Sequence, residues 1–96
     1  MNRYLILHIG FVMPTPEDMA VWNKWFQSLG DRMVEMQGLS GGREITADGT
    51  RELPFQKDSI TGYTVIKAAS LDEAESIAQE CPIVLSTQVH EIRSQN

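Results

Sequence analysis

Between Arg3 and Ile9 the side chains alternate, with Leu5, Leu7 and Ile9 on one side and Tyr4, Ile6 and His8 on the other. Gly10 follows at once, so the run is too short for a helix and reads as a strand whose two faces are both largely apolar. Such a strand belongs inside a sheet, covered from both sides. In a chain of 96 residues that requirement leaves room for one core only. A chain this short hides only about 60 to 65% of the surface its unfolded form exposes, so the sheet is expected to take part of its cover from a second copy.

The remaining elements follow from caps and periodicity. Thr15 suits an N-cap, Pro16 the first helical position, and Glu17 with Asp18 the positive end of the helix dipole. From Met19 onward Trp22, Phe26, Leu29, Met33 and Met36 recur at steps of three and four, which predicts one long amphipathic helix from Pro16 to Met36. Gly30 inside it costs about 1 kcal/mol relative to Ala, so a close backbone approach or a local bend is expected there. Gln37 to Gly42 reads as a loop. Arg43 to Ala47 and Thr50 to Leu53 read as a hairpin around Asp48-Gly49. After an irregular stretch from Pro54 to Ile60, Gly62 to Ala69 forms another strand, with Tyr63, Val65 and Lys67 opposite Thr64, Ile66 and Ala68. Ser70 and Glu73 stand at capping-box spacing before a second helix carrying Leu71, Ala74, Ile77 and Ala78, which Pro82 stops. Thr87 to Arg93 alternates as a last strand, and Ser94 to Asn96 is a polar tail.

This order is that of a single α+β domain over residues 1–96, a ferredoxin-like βαββαβ unit with both helices on one face of an antiparallel sheet. With Leu5 and Leu7 turned to the helices, Tyr4, Ile6 and His8 point to the bare face. A bare face carrying such residues predicts a face-to-face homodimer.

Composition removes several classes of function. Thirteen Asp plus Glu against eight Lys plus Arg, with no basic run, exclude nucleic acid as a direct ligand. The single Cys81 cannot close an intramolecular disulfide and belongs to no metal framework, which suits a reducing cytoplasm. The stretch from Tyr4 to Ile9 is interrupted by His8 and lacks a cleavage site, so it is not a signal peptide. No apolar run approaches the roughly 18 to 20 residues that span a bilayer, so no membrane partner is expected. No motif fixes a reaction, and no cofactor is expected: Gly38 to Gly42 lacks the phosphate-loop arrangement.

His8 is the candidate catalytic residue, because an imidazole on an apolar strand face can serve as acid, base or donor in a cavity between two sheets. The alternative is an interface histidine satisfied by a carbonyl or by the partner. His90, on the last strand, could approach His8 if those strands pair, but a two-His metal site would lack a third ligand, so no metal is expected. Tyr4 and Tyr63 are candidate ligand-binding hydroxyls in the same cavity, or else packed aromatics. Trp22 and Phe26 fit the core, while Trp25, beside their stripe, is placed at the rim of a pocket. Arg43 is a candidate carboxylate clamp, or a solvated cation opposing Glu44 or Asp48. Cys81, at a helix C-terminal end, reads as buried and inert.

The segments Tyr4-Leu5-Ile6-Leu7-His8, Trp22-Asn23-Lys24-Trp25-Phe26, Leu29-Gly30, Gly62-Tyr63-Thr64-Val65-Ile66, Ser70-Leu71-Asp72-Glu73-Ala74 and Cys81-Pro82, in this order, resemble the YCII-related family and its DGPF-type branch. The likeness runs from about Arg3 to Arg93. It implies a dimeric α/β barrel of two ferredoxin-like sheets packed face to face. Catalysis in some members is ascribed to a His in the first helix and an Asp before the Pro after the second. Here no His lies between Pro16 and Met36, and Cys81 precedes Pro82, so that dyad does not carry over. The DGPF element is altered too, since Thr50 and Arg51 follow Asp48-Gly49 and Pro54-Phe55 comes later. Branches of the wider family are often encoded beside sigma factors, so the resemblance adds a non-catalytic regulatory module to the expectations. The leading one is a dimer that binds a small organic molecule in an inter-sheet cleft; the alternative is a small isomerase or lyase with His8 as base and Arg43 or a Tyr as oxyanion partner.

Overall fold

The structure, a computed structural model, describes residues 1–93; the polar tail expected at 94–96 lies outside the described residues. In chain order it contains β1 (Asn2–Ile9), α1 (Pro16–Leu29), a single 3-10 turn (Gly30–Arg32), β2 (Met33–Gly38), β3 (Gly42–Thr46), β4 (Gly49–Leu53), β5 (Ile60–Ala68), α2 (Leu71–Gln79) and β6 (Ser86–Ile92). Four strands form an antiparallel sheet in the order β2-β5-β1-β6, while β3 and β4 pair only with each other. An antiparallel sheet with two helices makes this an α+β protein, compatible with a ferredoxin-like fold.

Both helices begin where the sequence places caps. The Thr15 hydroxyl accepts from the Asp18 amide at 3.2 Å and the Asp18 carboxylate accepts from the Thr15 amide at 2.9 Å, a reciprocal box ahead of Pro16. The Ser70 hydroxyl accepts from the Glu73 amide at 3.1 Å. The first helix ends sooner than its apolar stripe implies. Gly30 takes φ 54° and ψ −128°, a backbone region open to glycine, and the chain leaves through the 3-10 turn into β2. The expected helix over Pro16 to Met36 is therefore corrected to a helix, a turn and a strand. Met33 and Met36 keep a common face because Val34 sits in a bulge: Met33 pairs with Ile66, Glu35 with Val65 and Met36 with Thr64. A bulged strand here reproduces helical spacing. The Asp48-Gly49 hairpin forms as expected but stands outside the sheet, every one of its strand residues exposed.

The two faces of β1 are the reverse of the expected assignment. Tyr4 and Ile6 are 1% and 0% exposed and form the core with Ile66 and Ala68 of β5, Trp25 and Leu29 of α1, and Ala74 and Ala78 of α2. The helices thus cover the Tyr4, Ile6 and His8 face. Leu5, Leu7 and Ile9 lie half-buried on the other face, alongside Tyr63 and Val65. The register explains the direction: Arg3 pairs with Lys67 and also with Ile92, which sets two cations on the Leu5 face, where water reaches them. Among the described residues no helix is long and apolar enough to cross a membrane.

Candidate functional site

A cleft of about 370 Å³ opens between α1 and the end of β1 where the chain reaches Gly10. Missing side chains create part of this space. Gly62 is the cross-strand partner of His8, and Gly10, Gly38 and Gly62 all line the cleft. Its wall is aromatic and sulfur-rich. Trp22 and Phe26 of α1 stack at 27° with centroids 5.6 Å apart, and Met19, Met36 and Phe11 join them. Among the described residues no Asp, Glu, Lys or Arg lines it.

His8 brings the titratable chemistry to this cleft. Strand parity turns it toward α1, where its ring meets Trp22 edge-on at 4.9 Å and Trp25 at 5.8 Å. It is 8% exposed, and its Nε2 lies 2.9 Å from the Thr64 hydroxyl. Its Nδ1 is buried and has no hydrogen-bond partner among the described residues. Burial beneath the indoles lowers its pKa from 6.5 to about 4, because a buried imidazolium loses hydration. The ring is therefore neutral at pH 7, with one nitrogen a donor and the other an acceptor. An imidazole in that state can accept a proton or read a ligand's polar group.

The other expected site residues do not converge on His8. Tyr4 is in the core. Trp25 does not line this cleft: it is 4% exposed, its Nε1 donates to the Ile77 carbonyl at 3.0 Å, fastening α1 to α2, and it borders a separate hollow between the two helices. Trp22 and Phe26, expected in the core, pack half-buried against it and also form the cleft wall. Arg43 lies on the exposed hairpin, ion-paired with Glu52 at 3.0 Å, and does not border the cleft. Its partner is neither Glu44, which pairs with Arg51 at 2.5 Å, nor Asp48. Tyr63 touches the cleft at the sheet, but strand parity sends its ring to the opposite face with Leu7, where its hydroxyl donates to the Glu35 carboxylate, which raises the phenol pKa. His90 pairs in register with Leu5, so it sits on the opposite face from His8 and bonds Gln88 at 3.0 Å. The expected approach of the two histidines does not occur. Cys81 is buried and its thiol is pushed up by desolvation, in keeping with an inert role.

Sequence reasoning missed Thr64 and the indole wall as parts of the site. A signal existed for both, since Thr64 shares its strand face with Ile66 and Ala68, and glycines cluster where three strands end. No protein-family model matches this chain, and no curated protein matches it.

Proposed function

We propose that this protein binds a small organic molecule in the cleft beside His8, as a dimeric α/β barrel of the YCII-related type. One observation carries the binding function: a buried, neutral imidazole, hydrogen-bonded to Thr64, lines an aromatic hollow of about 370 Å³. Concave apolar sites with a few polar groups and a perturbed titratable residue are the usual setting of ligand binding. The cleft lies on the helix side of the sheet, so each subunit carries its own. The half-buried face of Leu5, Leu7, Ile9, Tyr63 and Val65 supports the dimer, since two identical faces of this kind bury each other. Cytoplasmic residence accords with the lone, buried Cys81.

The experiment is a thermal-shift survey of small neutral, anionic and cationic compounds, with tryptophan fluorescence as a second readout because Trp22 lines the cleft. A compound that raises the melting temperature and alters that fluorescence is expected. Silence across all three classes overturns the proposal. Acid-base catalysis by His8 is the second possibility, favoured by its neutral ring but left without Arg43 as an oxyanion partner. It requires that His8→Asn abolish turnover while the fold persists.

A further inference from the structure

We infer that the occupant of the cleft is an uncharged, flat aromatic molecule bearing a hydroxyl group that hydrogen-bonds the imidazole of His8. This inference rests on the ligand-binding function proposed above and specifies its chemistry. The wall comes first. Stacked Trp22 and Phe26, with Met19 and Met36, offer π faces, ring edges and polarizable sulfur, all of which favour a planar ring over a branched aliphatic chain. The volume, near the lower end of the range for small-molecule sites, suits one or two fused rings.

Charge is disfavoured on two grounds. Among the described residues no ionised side chain lines the cleft to pair with a carboxylate or an ammonium. The same surroundings hold His8 neutral, so the imidazole supplies no counter-charge either.

The hydroxyl follows from counting free hydrogen-bonding groups. The Thr61 hydroxyl donates to the His8 carbonyl at 3.2 Å, the Tyr63 hydroxyl donates to Glu35, and the Thr64 hydroxyl is engaged with His8 Nε2, while the amides of Asn23 and Gln37, which also line the cleft, are exposed and served by water. Among the described residues the buried nitrogen left without a partner is His8 Nδ1, which is closed to water in the present side-chain arrangement, so a ligand's hydroxyl meets it only as the imidazole or the wall beside it shifts. If Nε2 carries the proton toward Thr64, Nδ1 accepts; if Thr64 donates to Nε2, Nδ1 donates. A hydroxyl can complement either tautomer, whereas a ketone only accepts. An unpaired buried nitrogen is costly, so a ligand that satisfies it gains selectivity over its unsubstituted hydrocarbon.

Three probes of one ring system separate the elements of this inference: naphthol, naphthalene and naphthoate, titrated at pH 7 by calorimetry and by amide chemical shifts. Naphthol is expected to shift the amides of Gly10, Trp22, Gly38 and Gly62, and to bind at least tenfold more tightly than naphthalene. Naphthoate is expected not to bind. In His8→Leu the naphthol preference is expected to vanish. Equal binding of naphthol and naphthalene, or a preference that survives in His8→Leu, overturns the hydroxyl pairing while the binding cleft stands. Tighter naphthoate overturns the uncharged ligand. If no aromatic probe shifts the cleft amides while a non-aromatic compound from the survey does, the aromatic class falls and the binding function stands. If His8→Leu does not fold, the ranking of the probes on the wild-type protein decides.

Discussion

Burial lowers the pKa of His8 to about 4, whereas the unfolded chain protonates it near 6.5. Between those values the unfolded state binds more protons, so folding stability falls as the pH drops through that window. The full loss is at most about 3 kcal/mol, reached near pH 4. His8→Asn lacks it. The stability gap between wild type and His8→Asn, measured by urea unfolding, is expected to narrow from pH 7 to pH 4.5; a constant gap would show that His8 is not held neutral. Two glycines offer a second comparison. A Cβ on Gly10, at φ 112°, would lie 2.7 Å from both Cβ and N of Leu85, whereas at Gly30 nothing lies within 4 Å. Gly10→Ala is expected to cost about 3 kcal/mol through strain plus a clash, and Gly30→Ala about 1 to 2 kcal/mol through strain alone. The reverse order in urea midpoints would mean that the Leu85 contact yields easily. His8 was legible as a functional candidate because a polar ring stands out on an apolar strand. Its unpartnered nitrogen was not, since that depends on which elements close over it.

At the level of elements, the hairpin and the first helix make contrasting claims. β3 and β4 carry cross-strand pairs Arg43–Glu52 and Arg51–Glu44, yet all four side chains are well exposed, where such pairs contribute about 0.2 to 1 kcal/mol at most. A two-stranded ribbon without a packed face is marginal by itself. Its amides are therefore expected to lose hydrogen-exchange protection far sooner than those of β1 and β5. Equal protection would place the hairpin against something in solution, a second copy first of all. In α1, Thr15→Ala removes one arm of the capping box and is expected to cost about 1 kcal/mol. Caps were readable because they are local: Thr15, Pro16 and Ser70 act within one turn. The end of α1 was not, because the bulge at Val34 lets Met33 and Met36 share a face at a spacing that also fits a helix. Nor could β1 alone declare which side meets the helices, both sides being apolar. Lys67 held the missing information, but only the pairing of β1 with β5 makes it count against the Leu5 face.

The whole molecule is a slab with extents of 42 × 39 × 18 Å, one sheet and one layer of helices thick. So thin a body has one face of its sheet to spare. If a second copy covers it, light scattering at micromolar concentration is expected to report a dimer, and Leu7→Lys to split it into monomers without moving His8 or the cleft. A wild-type monomer would remove the barrel. Whole-chain order was partly legible, since strand, helix, hairpin, strand, helix and strand appear in sequence, but the hairpin's exclusion from the sheet depends on β2 already occupying that edge. The register of β1 with β6 has one more consequence. Arg3 and Ile92 are neighbours across the ladder, so the described chain leaves and re-enters the sheet at nearly the same point, and is close to a ring. A circular permutant with those ends joined by a short Gly-Ser tether, and new ends opened between Ala47 and Asp48 at the exposed hairpin tip, is expected to keep the β2-β5-β1-β6 order, because the cut crosses no strand of that sheet.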